Sequence, residues 1–541
     1  MRLGSFKNYS VLAFSFLLRG AIITALGASA VYAVIIPPDR LYSGWPNAGV
    51  TGGIPNSANM PVFKTINSTG DSTDRTSAIN DAIWSCPSNQ VIVLGPGTFR
   101  VDGQLYINNK AGVVVRGAGM GLTIIKSYRF GSWGWIVGNT SGDWQQTGGP
   151  ALSADEAAGQ TVLSMSSTTS YKVGDRVSLH QDDSRTAAWP VLGTGGPDRN
   201  MRHGSRIIAK DSSTITIADP LPFPFTTAQN AVVHVVGDGF AVRCGIENLT
   251  LDMSNGGCIY GVSFWNADEC WLKNVEITQA ANYLVYLLKA LHCTVEGCYL
   301  NGIQGTGNNG AGLIMEQSSM NLVQSCIIRF CFPNVEINYG CTGNVLGYNA
   351  LLQSQGNLGV GANHGAHNCF NLFEGNVAPN LKPDGYFGSV SHDTALRNRF
   401  TGADDISDTQ GFAAVDLKRF TRYYNIVGNV LGLSTSATYE QTGSGNGGAA
   451  IYQLGYPNIG NSVYSGTASP IAGDWWASWP TAAIFSACIN LDWSVAASVM
   501  SVMTTTRLVM WPCSSRIGLR LTENWPTRPS PRKIWTSRLS T

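Results

Sequence analysis

Between residues 316 and 419 the chain gathers carboxylates, imidazoles, amides and cations of the kind that move protons. Counting nine to fourteen residues back from a series of recurring anchors gives Glu316, then Glu336 with Asn338, then Asn363, His364 and His367, then Asp384 with Tyr386, then Lys418 and Arg419. His392 follows Asp384 closely, so three of the seven histidines fall within residues 364–392. On one face such a set could carry general acid–base chemistry. His364, His367, His392, Asp384 and Glu336 would give or take the proton. Glu316, Asn338, Asn363, Tyr386, Lys418 and Arg419 would hold the reacting molecule. Each residue alone has a plainer reading, a glutamate as a solvated surface group and a histidine as a bonded structural one. Their density is what speaks for function.

The anchors that align them are Asn248, Asn274, Cys298, Cys326, Asn349, Asn376, Asn398 and Asn429, in steps of 22 to 31 residues. Short apolar strands flank each anchor, and no helical periodicity appears between them. A repeat of this length built from strands predicts a solenoid in which each turn of chain is one coil. The fixed leucine framework of a leucine-rich repeat is missing. The expected fold is all-β, a single-stranded parallel β-helix. Residues at one coil position then lie ~4.8 Å apart. Asparagine at the anchor is expected because it tolerates the left-handed backbone region. Stacked asparagine amides can also bond from coil to coil. Cys244 and Cys270 each precede an anchor by four residues and should stack, as a buried thiol ladder or as a disulfide.

Composition bounds the rest. Charged residues are 13%, hydrophobic residues 44%, and glycine 62 of 541, which excludes a disordered chain and a coiled coil. Residues 1–33 read as an export signal, with Arg2 and Lys7 ahead of an apolar stretch that ends at Ala33; a membrane anchor is the alternative. The protein is thus expected to be secreted, at the cell surface or in the periplasm, with no membrane association after cleavage. Residues 34–138 form an N-terminal cap and the first coils. A helix is predicted over Thr73–Trp84, with Thr76 as N-cap, to cover the open end of the stack. Residues 139–240 break the rhythm and are read as an inserted small β subdomain, whose polar loop from Gln181 to Arg206 would overhang a groove. Residues 241–495 are the main β-helix. Residues 496–541 are basic and without coil rhythm, and are read as disorder or a frame error. With both ends removed, residues 34–495 carry a net charge of −8, which argues against nucleic acid as partner. The twelve cysteines include no CxxC pair. Asp404, Asp405 and Asp408 could hold Ca²⁺ through oxygen ligands or form an exposed turn; no other cofactor is implied.

The runs PVFKTINSTGDSTDRTSAINDAI, VIVLGPGTFRVDGQLYI and GVVVRGAGMGLTIIK resemble the start of the pectate-lyase superfamily, in its branch shared with rhamnogalacturonases and epimerase-like proteins. Gly70-Asp71 with Asp74-Arg75-Thr76 stands where that family has Gly-Asp-Gly and Asp-Asp-Thr, and Pro96-Gly97-Thr98-Phe99 where it has Pro-x-Gly-Thr-Tyr. The resemblance covers residues 60–126, and residues 240–432 by repeat alone. It implies a right-handed, pectin-lyase-like solenoid and a carbohydrate substrate. The polygalacturonase set Asn-Thr-Asp, Gly-Asp-Asp, Gly-His-Gly and Arg-Ile-Lys is not matched; the chain has Ala403-Asp404-Asp405, Gly365-Ala366-His367 and Arg206-Ile207-Ile208 instead. The Arg-x-Pro-x-x-Arg motif of pectate lyases is also missing. The leading expectation is cleavage of a polysaccharide, with an acidic one favoured. Hydrolysis would use two carboxylates ~5–5.5 or ~6.5–9.5 Å apart. β-Elimination would use a base beside a uronate carboxyl and a donor for the developing charge. A polymer-level uronate epimerase, and a non-catalytic glycan-binding fibre or adhesin, are the alternatives. Trp475, Trp476 and Trp479 could stack on sugar rings or pack in a core. Monomer and trimer both remain open.

Overall fold

Alternation of small β-branched and apolar residues along very short strands dictates the architecture: every second side chain has to be buried, and three or four residues cannot bury it alone. In the computed structural model the described residues are 36–140, 148–183, 199–237, 240–304, 310–354, 358–362, 364–365, 367–383, 390–403, 413–417, 421–433, 438–441 and 450–454. Their strands stack in parallel into a right-handed β-solenoid of about eleven turns. The first wall runs from Val62–Ile66 through Gln90–Leu94 and Val113–Arg116 to Asn425–Val427, and the second from Gly70–Asp74 through Gly97–Val101 and Thr123–Ser127 to Val430–Leu431. The third wall stacks Leu105–Ile107, Phe130–Gly138, Gly257–Trp265, Tyr283–Leu288, Leu313–Glu316, Val335–Asn338 and Val360–Ala362. Inward residues form one continuous core, for example Val262, Val285, Leu313, Val335 and Val360 in a single column of the third wall. Each such aliphatic side chain contributes about 1.5–3 kcal/mol by burial.

The corner between the first two walls differs from the expectation by one residue. Asn248 and Asn274 do take the left-handed region, at φ 56° and 51°. Lys273 then aligns with Glu296 and Glu276 with Tyr299, so Gly297 faces Asn274. In later coils Gly297, Ser325, Tyr348, Gly375, Arg397 and Gly428 hold the corner, all at positive φ. The residue after each is turned into the core. Asn349 donates through Nδ2 to Asn376 Oδ1 (3.0 Å), Asn376 to Asn398 (3.0 Å) and Asn398 to Asn429 (2.9 Å). The ladder therefore exists, but its asparagines serve as buried amides. Each Oδ1 also accepts a backbone N–H of the preceding coil, as from Asn349 to Asn376 at 3.0 Å, which satisfies donors that the corner would otherwise orphan. A second ladder runs Asn321, Asn344, Asn371 and Asp393. Cys244, Cys270 and Cys293 precede it; all ten cysteines among the described residues are free and buried. The thiol ladder holds, and no disulfide joins them.

The cap helix spans Thr76–Ser85. Thr76 is its first residue, not its N-cap: Asp74 Oδ1 accepts the Thr76 N–H at 2.9 Å, while Thr76 Oγ1 accepts the Gly103 N–H at 2.9 Å. Ile79, Ala82 and Ile83 are buried in the solenoid core.

Between Phe130–Gly138 and Gly245–Asp252 lies a five-stranded antiparallel sheet, ordered Val232–Val235, Arg176–Gln181, Met201–Lys210, Thr214–Ile217 and Val162–Ser164. Met201–Lys210, read from sequence as part of a polar loop, is its central strand; residues 184–198 of that loop are outside the described residues. Arg202, His203 and Ser205 on this strand are buried, because they face the solenoid. Gly204 N–H donates to Ser319 Oγ (3.0 Å), and His203 Nδ1 lies 3.0 Å from Thr342 Oγ1. The seam is charged as well: buried Asp268 takes Arg176 and Arg206, and Asp219 takes His292 at 3.0 Å and Ser205 at 2.8 Å. Among the described residues no helix is long and apolar enough to cross a membrane. The export-like segment 1–33 and the tail 496–541 are outside the described residues.

Candidate functional site

The third wall turns two columns outward. In register, Ser263, Tyr286, Ile314, Glu336 and Gly361 form one; Trp265, Leu288, Glu316 and Asn338 form the other. Glu316 and Glu336 thus sit one coil and one column apart, and both are buried. Asn338 lies between them. Its Nδ2 donates to Glu336 Oε1 at 2.9 Å and faces Glu316 Oε1 at 3.3 Å. Those two contacts keep the two oxygens within about 6 Å, close to the ~5–5.5 Å of retaining carboxyl pairs. Tyr286 Oη–H donates to Glu316 Oε2 at 2.6 Å. The main-chain N–H of His364 donates to Asn338 Oδ1 at 2.8 Å and so fixes which way the amide points. The His364 ring places Nε2 4.0 Å from Glu336 Oε1.

Burial pushes the Glu316 carboxyl up to about 7, and the neighbouring Glu336 charge adds to this against the hydrogen bonds from Tyr286 and Asn338. One carboxyl is therefore held as an acid near neutrality beside a second buried carboxyl, an arrangement from which an acid–base pair can be built.

Next to the pair, toward the N-terminus, lies a group of rings absent from the sequence reading. Tyr260 stacks on Trp133, Tyr283 and Tyr286, with centroids 5.8, 5.4 and 5.2 Å away. Trp265 meets Trp133 edge-on at 5.6 Å. The signal was available as the aromatics clustered in GSWGWIVG, YGVSFW and YLVYLL, in coils ahead of the first one searched.

The expected site residues divide three ways. Glu316, Glu336, Asn338 and His364 come together. His367 and His392 do not join them. Both are buried, and burial lowers each imidazole to about 3, so they stay neutral. His392 stands at a positive-φ corner, stacked between Phe370 (5.0 Å) and Tyr423 (4.7 Å). Counting back finds the coil position of a residue but not the direction of its side chain, and His392 packs between two rings. Asn363, Asp384, Tyr386, Lys418 and Arg419 are outside the described residues, as are Asp404, Asp405, Asp408 and the three tryptophans at 475–479. Among the described residues no group of His, Cys, Asp and Glu is arranged to hold a metal ion. Glu247, which reads as a solvated residue before an anchor, is buried instead, accepting from Trp271 Nε1 at 2.7 Å and from Ser57.

Parallel coils, an asparagine ladder and a carboxylate-bearing wall define a parallel β-helix protein. Residues 64–284 match the family described as Rhamnogalacturonase A/epimerase, pectate lyase-like. No curated protein matches it in sequence. Three solved structures resemble it loosely. The tailspike gp61 of Pseudomonas phage phi297 is 12% identical over 67% of this chain and 58% of its own, with TM-score 0.41; this chain thus spans little more than half of that protein. The A-module of mannuronan C-5 epimerase AlgE4 from Azotobacter vinelandii is 12% identical over 72% and 94%, with TM-score 0.38. The gp54 tailspike of Acinetobacter baumannii bacteriophage AP22, solved with a capsular saccharide, is 11% identical over 71% and 74%, with TM-score 0.32. The fold described above rests on its own strand register.

Proposed function

We propose that this protein cleaves a polysaccharide by glycoside hydrolysis on its third wall, with Glu316 as proton donor and Glu336 as nucleophile. The observation that carries this is the pair of buried carboxyls bridged by Asn338, one of them pushed up to about 7. The family match, whose description names a rhamnogalacturonase, supports a glycan as substrate. Glu316 protonates the leaving oxygen as Glu336 attacks the anomeric carbon. The resulting Glu316 carboxylate is held by Tyr286 and Asn338, and then takes a proton from the water that releases the sugar from Glu336. The export-like N-terminus favours action outside the cell.

The test is release of reducing ends from a panel of polysaccharides, with absorbance of unsaturated uronates followed separately. Glu336→Gln is expected to lower turnover by about 10³-fold or more, as loss of a group acting in the transition state does. Cleavage that yields unsaturated ends would replace hydrolysis by elimination. Folded protein silent in both readouts would leave glycan binding alone.

A further inference from the structure

The rings beside Glu316 deepen this reading and take their orientation from it. We infer that Trp133, Tyr260, Tyr283 and Tyr286, with Trp265 at their edge, form a stacking subsite for uncharged pyranose rings on the N-terminal side of the bond that Glu316 and Glu336 address.

Three observations converge. The rings occupy three consecutive coils, which at ~4.8 Å per coil make a platform about 10 Å long, room for about two sugar rings along the solenoid axis. Trp133, Tyr260, Trp265 and Tyr283 are only half-buried, so part of each ring remains open to a ligand. The platform is continuous with the carboxyls, since Tyr286 both stacks on Tyr260 at 5.2 Å and donates to Glu316 at 2.6 Å. A sugar seated on it is thereby placed one coil from the acid.

Charge selects the sugar. From Leu105–Ile107 to Val360–Ala362, the strands of this wall contain no lysine or arginine, and Glu316 and Glu336 are their only charged residues. Arg129, just ahead of Phe130–Gly138, donates its Nε–H to the Trp133 carbonyl at 3.0 Å. Lys289 lies past the end of Tyr283–Leu288, at the corner. The first cation of the outward column is Lys382, two coils beyond Glu336, placed by the pairing of Val360 with Leu381. A uronate on the platform would bring its carboxylate toward the Glu316–Glu336 pair with no cation on these strands to offset its charge. A neutral ring instead lays its face of C–H groups on the aromatic surface and keeps its hydroxyls in water.

The experiment uses the full chain carrying Glu336→Gln, so that ligand is not consumed, with calorimetry and tryptophan quenching as readouts. Neutral hexasaccharides of gluco, manno, galacto and rhamno configuration are compared with oligogalacturonate and oligomannuronate of the same length. At least one neutral ligand is expected to bind roughly tenfold or more tighter than either uronate, and Tyr260→Ala to weaken it about tenfold to a hundredfold. Tyr260→Phe keeps the ring and should keep the binding, which separates stacking from a folding defect. Uronates binding as tightly as neutral sugars, a neutral ligand indifferent to Tyr260→Ala, or no neutral ligand bound would each overturn the subsite. The two readings can fail separately. Neutral sugars bound by a wild-type chain that releases no reducing ends would sink the cleavage and leave the platform. Glu336-dependent cleavage of a polyuronate would sink the platform and leave the cleavage.

Discussion

Glu316 on the third wall and Asp219 at the subdomain seam are both buried carboxyls, yet they shift in opposite directions. Burial pushes Glu316 up, and its charged neighbour is another carboxylate. Burial pushes Asp219 up too, but the hydrogen bond and charge of His292, together with His203 and Ser205, outweigh it and hold Asp219 below its ordinary range. His292 is raised in return by Asp219, against its own burial. Burial dominates at Glu316 and lets it keep a proton, whereas at Asp219 an opposite charge and hydrogen bonds outweigh burial and make a clamp. The signs for stability follow. Glu316 keeps a proton that the unfolded chain has already released, so its contribution falls as pH rises from the usual carboxylate range to about 7. Asp219 contributes above its unfolded value and loses that contribution as pH falls through its depressed one. His292 contributes fully below its ordinary value and loses that as pH rises through its raised one.

The sharpest separation of the two regions is the pH–rate profile. The proposed cleavage needs Glu316 protonated, so its rate is expected to fall about tenfold per pH unit above about 7; a flat profile there would remove Glu316 as the acid. At the seam, Asp219→Ala leaves His292 and Ser205 buried without their partner, and should cost about 3–5 kcal/mol of stability by urea unfolding. A loss under about 1 kcal/mol would mean that the seam is not a charged clamp. The uncharged counterpart of both is the amide ladder. Asn376→Ala removes the acceptor of the Asn349 N–H, one of the two acceptors of its amide and the side-chain donor to the Leu346 carbonyl, and is expected to cost about 2–3 kcal/mol in the same assay. The smallest effect is Tyr286→Phe. Its hydrogen bond lowers Glu316, so its loss should move the falling limb of the rate profile to higher pH, by up to about one unit. An unmoved limb would show that the phenol does not act on that proton.

The repeat was legible because a coil cannot close without a corner, and corners recur. The off-by-one anchor was not, since asparagine suits both a left-handed corner and an inward amide; only strand register distinguishes Asn274 from Asn349. Glu316, Glu336, Asn338 and His364 could be found by counting, because in a parallel stack sequence offset becomes spatial column. His367 shares that spacing but is buried, and His392, closer to its anchor, stacks between Phe370 and Tyr423. Met201–Lys210 was missed for a related reason. Its buried face is polar because it meets Ser319, Thr342 and the Asp219–His292 pair, and a polar strand reads as a loop. The aromatic platform escaped because a search guided by titratable residues passes over coils that contain none.

Parallel stacking also gives the two carboxyls an adjustable spacing. Splicing one more turn of chain between Leu313–Glu316 and Val335–Asn338 would leave every neighbouring strand with an in-register partner, yet would part the glutamates by a further ~4.8 Å. That moves them from a gap suited to direct attack on the sugar toward one wide enough to admit a water molecule. In such a scaffold the stereochemical outcome of the proposed cleavage could be reset by duplicating a turn, with no change to either glutamate.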